Sequence, residues 1–207
     1  MSIQDIYQAV VDFDDDQVAE LIEKEIKSGT DLKKILDEGL IAPMDYVGKL
    51  FAEGELFVPE MLMAATAMKK GLTILKPHLA KGGGATIGTV VIGTVKGDLH
   101  DIGKNLVGMM LEGGGFEVFD LGSDVEPQKF VDAAKEKKAQ IVGLSALLTT
   151  TMPYMEETVN ALKEAGINSK VIIGGAPVTA AYAEKIGAAG YSDDAPGAVA
   201  LARSLVK

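Results

Sequence analysis

Gly97-Asp98-Leu99-His100-Asp101-Ile102-Gly103-Lys104-Asn105 is the stretch on which the chain is organised. Before it runs Thr89-Val90-Val91-Ile92-Gly93-Thr94-Val95, β-branched and apolar, the pattern of a buried strand. After it, Leu106-Val107-Gly108-Met109-Met110-Leu111 reads as helix. A histidine on the loop between them stands at the carboxyl edge of a sheet, where open α/β sheets bind ligands. Asp98, two residues before His100, can accept a hydrogen bond from one ring nitrogen; that fixes the tautomer and frees the other nitrogen for a metal. Gly97 and Gly103 let backbone or a bulky ligand come close. A histidine alone in such a place ordinarily caps the next helix or closes a local hydrogen bond. The complete Asp-x-His-x-x-Gly between strand and helix is what points to a ligand.

Outward toward the C-terminus the pattern repeats. Strands are predicted near residues 89–95, 117–121, 140–145, 170–174 and 189–192, and helices near 102–113, 126–138, 153–165, 179–187 and 195–206. Five β/α repeats predict a Rossmann-like, flavodoxin-like α/β domain: a five-stranded parallel sheet with helices on both faces. Right-handed crossovers bring every strand-to-helix loop to one edge. Three of these loops stand out. One holds His100. The second, Ser145 to Thr151, is rich in small and hydroxyl residues and precedes Pro153; it suits a capped turn and ligand donors equally. The third, Gly174-Gly175, suits a tight turn, or a wall of bare backbone against a flat ligand group.

Toward the N-terminus the first 80 residues read as an all-α helical bundle. Ile3, Ile6, Tyr7, Val10 and Val11 give one apolar face. Asp14-Asp15-Asp16 suits a helix start, and Val18, Leu21, Ile22 and Ile26 continue at helical spacing to Gly29. Thr30 or Asp31 can cap the next helix, with a stop expected at Gly39. Leu40, Met44, Val47 and Phe51 keep the period until Gly54. Pro59 suits the first turn of a longer helix that carries Leu62, Met63, Ala67, Leu72 and Leu75. Leu56, Phe57, Met61, Met63 and Met68 are expected in the bundle core, and His78 in solvent or at a cap. The predicted domains are thus 1–80, a glycine-rich linker over 81–87, and 88–207.

Composition narrows the function. The chain has 207 residues, 47% of them hydrophobic, enough for a sizeable core. Its net charge of −10 argues against nucleic acid and anionic membrane as partners. It has no cysteine, which removes disulfides, thiolate metal sites and cysteine nucleophiles. No apolar run reaches the roughly 18–20 residues of a membrane span, and no signal peptide is read at the start, so a cytoplasmic protein is expected. A dinucleotide loop fails on spacing, since the glycines are Gly93, Gly97 and Gly103. A phosphate loop fails because Gly103-Lys104 is followed by Asn105. Gly113-Gly114-Gly115 follows a helix and reads as its stop.

The histidine motif, the Ser145–Thr151 loop and the paired glycines, in that order, resemble the cobalamin-binding module of corrinoid methyltransferase proteins, including that of cobalamin-dependent methionine synthase. The resemblance covers nearly the whole chain and implies a free-standing corrinoid methyl carrier with cobalamin as cofactor, cycling between methylcobalamin and cob(I)alamin. It implies His100 as the axial cobalt ligand, Asp98 as acceptor from the other imidazole nitrogen and carrier of a proton, and Thr151, where methionine synthase has serine, as third member of the relay. It assigns Gly97, Leu99, Asp101, Ile102 and Gly103 to the cofactor loop. Ser145, Leu147, Thr149, Gly174, Gly175, Tyr191 and Ala195 fall at the pocket for the cofactor's nucleotide tail. Val47 to Glu60 resembles the family's cap segment, with Phe51 and Val58 shielding the methyl group. The implied partners are a substrate-specific methyltransferase, a second one acting on tetrahydrofolate or a thiol such as coenzyme M, and a reductive activation protein. A cobalamin-dependent sensor is the alternative; it needs a DNA-binding domain, which the first helices do not resemble. Mutase small subunits share the corrinoid-binding fold but lack this helical cap.

Overall fold

The computed structural model describes residues 2–82 and 86–206. The chain packs as two units, Met1–Thr86 with Glu112–Gly115, and Ile87–Leu111 with Phe116–Lys207.

The first unit is helical: α1 (Ile3–Val11), α2 (Asp15–Lys27), the single turn α3 (Leu32–Lys34), a π-helical segment (Ile35–Ile41), α4 (Ala42–Ala52) and α5 (Val58–Gly82). Asp14 caps α2 by accepting from the Gln17 N–H at 2.9 Å, and acidic residues fill its first turn. Asp31, rather than Thr30, caps α3, accepting from the Lys33 N–H at 2.9 Å, while the Thr30 hydroxyl donates to Glu25. Ile6, Val10, Val18, Ile22, Ile35, Leu40, Met44, Val47, Met61, Met68 and Leu75 form the core.

Four expectations are corrected here. Gly39 does not stop a helix: it lies inside the π-helical segment, where a Cβ would come 3.3 Å from Ile6 Cγ2. The absent side chain lets α1 pack close, and the widened turn carries the chain into α4. Phe57 is 66% exposed, because it sits at the N-cap of α5, its N–H donating to Glu60 Oε2 at 2.7 Å. Met63 is exposed too, since Met61, Ala64, Ala65, Met68, Leu72 and Leu75 set the buried face of α5 and residue 63 falls outside it. Finally, Lys81 and Gly82 belong to α5 rather than to the linker, whose residues 83–85 lie outside the described ones.

The second unit alternates β1 (Thr89–Thr94), α6 (Ile102–Gly113), β2 (Glu117–Asp120), α7 (Pro127–Lys137), β3 (Ile141–Ser145), α8 (Pro153–Glu164), β4 (Lys170–Gly174), α9 (Ala180–Ile186), β5 (Gly190–Tyr191) and α10 (Ala195–Leu205). The strands pair in parallel in the order β2-β1-β3-β4-β5. Prolines 127, 153 and 196 open their helices, where a missing N–H costs nothing. Phe130 of α7 and Met155 and Val159 of α8 are buried in one core with Val142 and Leu144 of β3. Thr94 lies opposite Ser145, and Ser145 opposite Gly174, so the carboxyl ends of β1, β3 and β4 are level. Strand order reverses between β1 and β3, which opens a crevice between their two loops.

Candidate functional site

The crevice is built on one carboxylate. Asp98 is fully buried and takes five donors. Its Oδ1 accepts from the His100 N–H at 3.1 Å and lies 2.7 Å from His100 Nδ1. Its Oδ2 accepts from the Leu147 and Leu148 N–H groups at 2.8 and 3.2 Å and from the Thr151 hydroxyl at 2.7 Å. The Thr151 hydroxyl has the Leu148 carbonyl as a second acceptor at 2.8 Å. Burial pushes the Asp98 pKa up, but the bonds from Leu147, Thr151 and His100 outweigh it and hold the carboxyl far below the ordinary carboxylate range. An ionised Asp98 keeps a proton on His100 Nδ1 and leaves Nε2 as the nitrogen with a free lone pair. The imidazole is about half exposed.

Two further anchors set the loop. The Thr94 hydroxyl, fully buried, donates to the His100 carbonyl at 3.0 Å. Asp124, on the loop after β2, accepts from the Gly97 N–H at 2.7 Å. Neither was visible in the sequence, because each partnership depends on which strands lie beside β1. Lys104 is the third residue that sequence reasoning missed. Its side chain is 1% exposed and its ammonium pairs with Asp120 and Asn105, so it presents no cation to a phosphate.

The two loops expose four apolar side chains: Leu99 and Ile102, which flank His100 in sequence, are 73% and 82% exposed, and Leu147 and Leu148, whose amides reach Asp98, are exposed as well. Gly103, at the start of α6, has nothing within 4 Å of where a Cβ would lie, so the protein's own packing does not require glycine there. Gly175 is different. At φ +130° its Cβ would come 1.8 Å from the Ala146 carbonyl oxygen, so this glycine joins the β4 and β3 loops backbone to backbone. Ser145, Gly174 and Tyr191 are the last residues of β3, β4 and β5, Ala195 opens α10, and Thr149 lies on the exposed β3–α8 loop. Phe51 and Val58 belong to the helical unit, in the last turn of α4 and at the start of α5.

The B12 binding domain family matches residues 88–200, and a second B12 binding domain family matches residues 2–76. A corrinoid protein from Desulfitobacterium hafniense is 43% identical over 99% of this chain and 97% of its own length. Dimethylamine corrinoid protein 1 of Methanosarcina acetivorans is 46% identical over 99% of this chain and 97% of its own. The chain belongs to the corrinoid protein family. Among solved structures, the methanol:cobalamin methyltransferase complex from Methanosarcina barkeri contains a chain that superposes with a TM-score of 0.89 at 32% identity, covering 99% of this chain and 79% of that one. A cobalamin-binding protein from Desulfitobacterium hafniense superposes with a TM-score of 0.82 at 36% identity over the full length of both.

The cofactor of this corrinoid protein is therefore cobalamin or a related corrinoid, and its residues fit one. Among the described residues no group of three His, Asp or Glu side chains could hold a bare metal ion. One imidazole suffices only for a metal that brings its own equatorial ligands, as a corrin-bound cobalt does. The open space at Gly103 and the exposed leucines and isoleucine offer such a group an apolar rest. No helix among the described residues is long and apolar enough to cross a membrane.

Proposed function

We propose that the chain carries a methyl group between a substrate-specific methyltransferase and a second methyltransferase that acts on tetrahydrofolate or a thiol such as coenzyme M, with a reductive activation protein in attendance. The names of the relatives, which include a dimethylamine corrinoid protein and a methanol:cobalamin methyltransferase complex, support a carrier working with separate methyltransferases. Bound corrinoid would supply the cobalt that accepts and donates the methyl group. The observation that carries the reading is the His100–Asp98–Thr151 relay, with Nδ1 committed and Nε2 available.

The roles of these residues follow from their chemistry. His100 would hold the cobalt of a bound corrinoid through Nε2. Asp98 would orient the ring, and Thr151 with the Leu147 and Leu148 amides keeps Asp98 ionised. Ser145, Leu147, Thr149, Gly174, Gly175, Tyr191 and Ala195 line the tail pocket in this reading, and Phe51 and Val58 guard the methyl face.

The test is an absorption spectrum of the full chain reconstituted with hydroxocobalamin, wild type against His100→Ala, with the bound cofactor counted by mass spectrometry. One corrinoid per chain with a histidine-dependent spectrum is expected. An unchanged spectrum in His100→Ala would refute axial ligation, and failure to retain corrinoid would sink the carrier reading.

A further inference from the structure

We propose that Asp124 is a positioning residue for the histidine loop: it clamps the backbone of Gly97 and Asp98 so that His100 meets cobalt at the right place. The inference rests on the assignment of His100 as axial ligand. Asp124 makes two hydrogen bonds with consecutive residues of that loop, in opposite directions. Its Oδ1 accepts from the Gly97 N–H at 2.7 Å, and its own N–H donates to the Asp98 carbonyl at 2.9 Å. Both residues hold left-handed backbone, Asp124 at φ +53° and Gly97 at φ +77°. A residue with a Cβ adopts that conformation at a cost, and Asp and Asn are among the few that do so readily.

The clamp completes the fastening of Asp98. Its carboxylate is tied to the β3–α8 loop through Leu147, Leu148 and Thr151. Its main chain is tied to the opposite loop, after β2, through Asp124. Around this point the two loops are already joined by the Thr94 N–H to the Gly122 carbonyl at 2.9 Å, the Val125 N–H to the Thr94 carbonyl at 3.0 Å, and the Lys96–Glu126 ion pair at 3.0 Å. Loss of the Asp124 side chain therefore leaves the loops paired and frees only the Gly97 amide. What changes is the placement of the residues that immediately precede His100.

Asp124→Gly keeps the backbone conformation accessible and removes the acceptor; Asp124→Asn keeps both. In the full chain loaded with cobalamin and reduced to cobalt(II), electron paramagnetic resonance separates histidine-ligated from histidine-free cobalt by nitrogen splitting. At fixed pH the ratio of the two should fall about tenfold in Asp124→Gly and stay near wild type in Asp124→Asn. Corrinoid retention and melting temperature should be unchanged in both variants. In the protein without cofactor, hydrogen exchange at the Gly97 amide should quicken about tenfold in Asp124→Gly alone. A wild-type ratio and wild-type Gly97 exchange in Asp124→Gly would overturn the clamp, as would an equal loss in Asp124→Asn. A fall in melting temperature with no change in the ratio would reduce Asp124 to a fold residue and overturn it too. If wild type shows no histidine-ligated cobalt, the axial assignment fails instead, and the Gly97 exchange still reads the clamp.

Discussion

The Asp98 carboxylate accepts hydrogen bonds from five groups and donates none, which makes its chemistry unforgiving. In Asp98→Asn one side-chain oxygen becomes an NH2 facing groups that also donate. Leaving buried donors unmatched costs about 2–4 kcal/mol, to be read from urea unfolding at pH 7. The pH dependence has a definite sign. The folded carboxyl is held below its ordinary value, so its stabilisation is complete above the ordinary carboxylate range, about pH 4, and is lost as pH falls toward the folded value. The gap between wild type and Asp98→Asn should thus narrow when the unfolding series is repeated at pH 3. The pairing of Asp98 with His100 was legible because two residues of one loop fix their own distance. Thr151 was legible only through the family resemblance. Asp124, Thr94 and Lys104 were not, since nothing local in the sequence says that the loop after β2 lies beside the loop after β1.

The strands and helices of the α/β unit were read to within a residue or two, because short β-branched runs and helical spacing alternate there without competition. The helical unit was harder where one residue type serves two purposes. Gly39 looks like a stop and is a packing notch. Phe57 looks like core and is an exposed N-cap. Gly103 and Gly175 show the same ambiguity resolved in opposite ways, one facing open space and one pressed on a carbonyl. That contrast gives a separation of functions. Gly103→Leu adds a side chain where the protein has room and replaces glycine in a helix, so thermal stability should hold or rise by up to about 1 kcal/mol. Corrinoid binding, followed by equilibrium dialysis with hydroxocobalamin, should fall at least tenfold; unchanged binding would mean that the cofactor does not lie over the start of α6.

The division into two units has a calorimetric signature. Every residue of the Asp98 relay belongs to the α/β unit. A ligand that binds the folded form stabilises it by about 2.7 kcal/mol at a hundredfold excess over its dissociation constant. Cobalamin should raise the unfolding temperature of the α/β unit by several degrees, and by less in His100→Ala. Scanning calorimetry with and without hydroxocobalamin checks this. A transition that does not move in wild type would contradict the assignment of the cofactor to this unit. The change of pattern near the glycine run is plain in the sequence, but the end of α5 within that run was not legible, because lysine and glycine there say nothing about whether the last turn continues.

The burial of Lys104 makes the molecule its own reporter. Lysines 24, 27, 49, 69, 70, 96 and 137 keep 35% or more of their side chains exposed, against 1% for Lys104. An amine-reactive acylating label should mark those surface lysines within minutes and skip Lys104 until β2 and α6 part. The mass of the peptide that contains Lys104, followed against time in mild urea, would then act as a footprint clock for opening of this one edge of the sheet. No dye, mutation or tryptophan is needed in a chain that has none of the last.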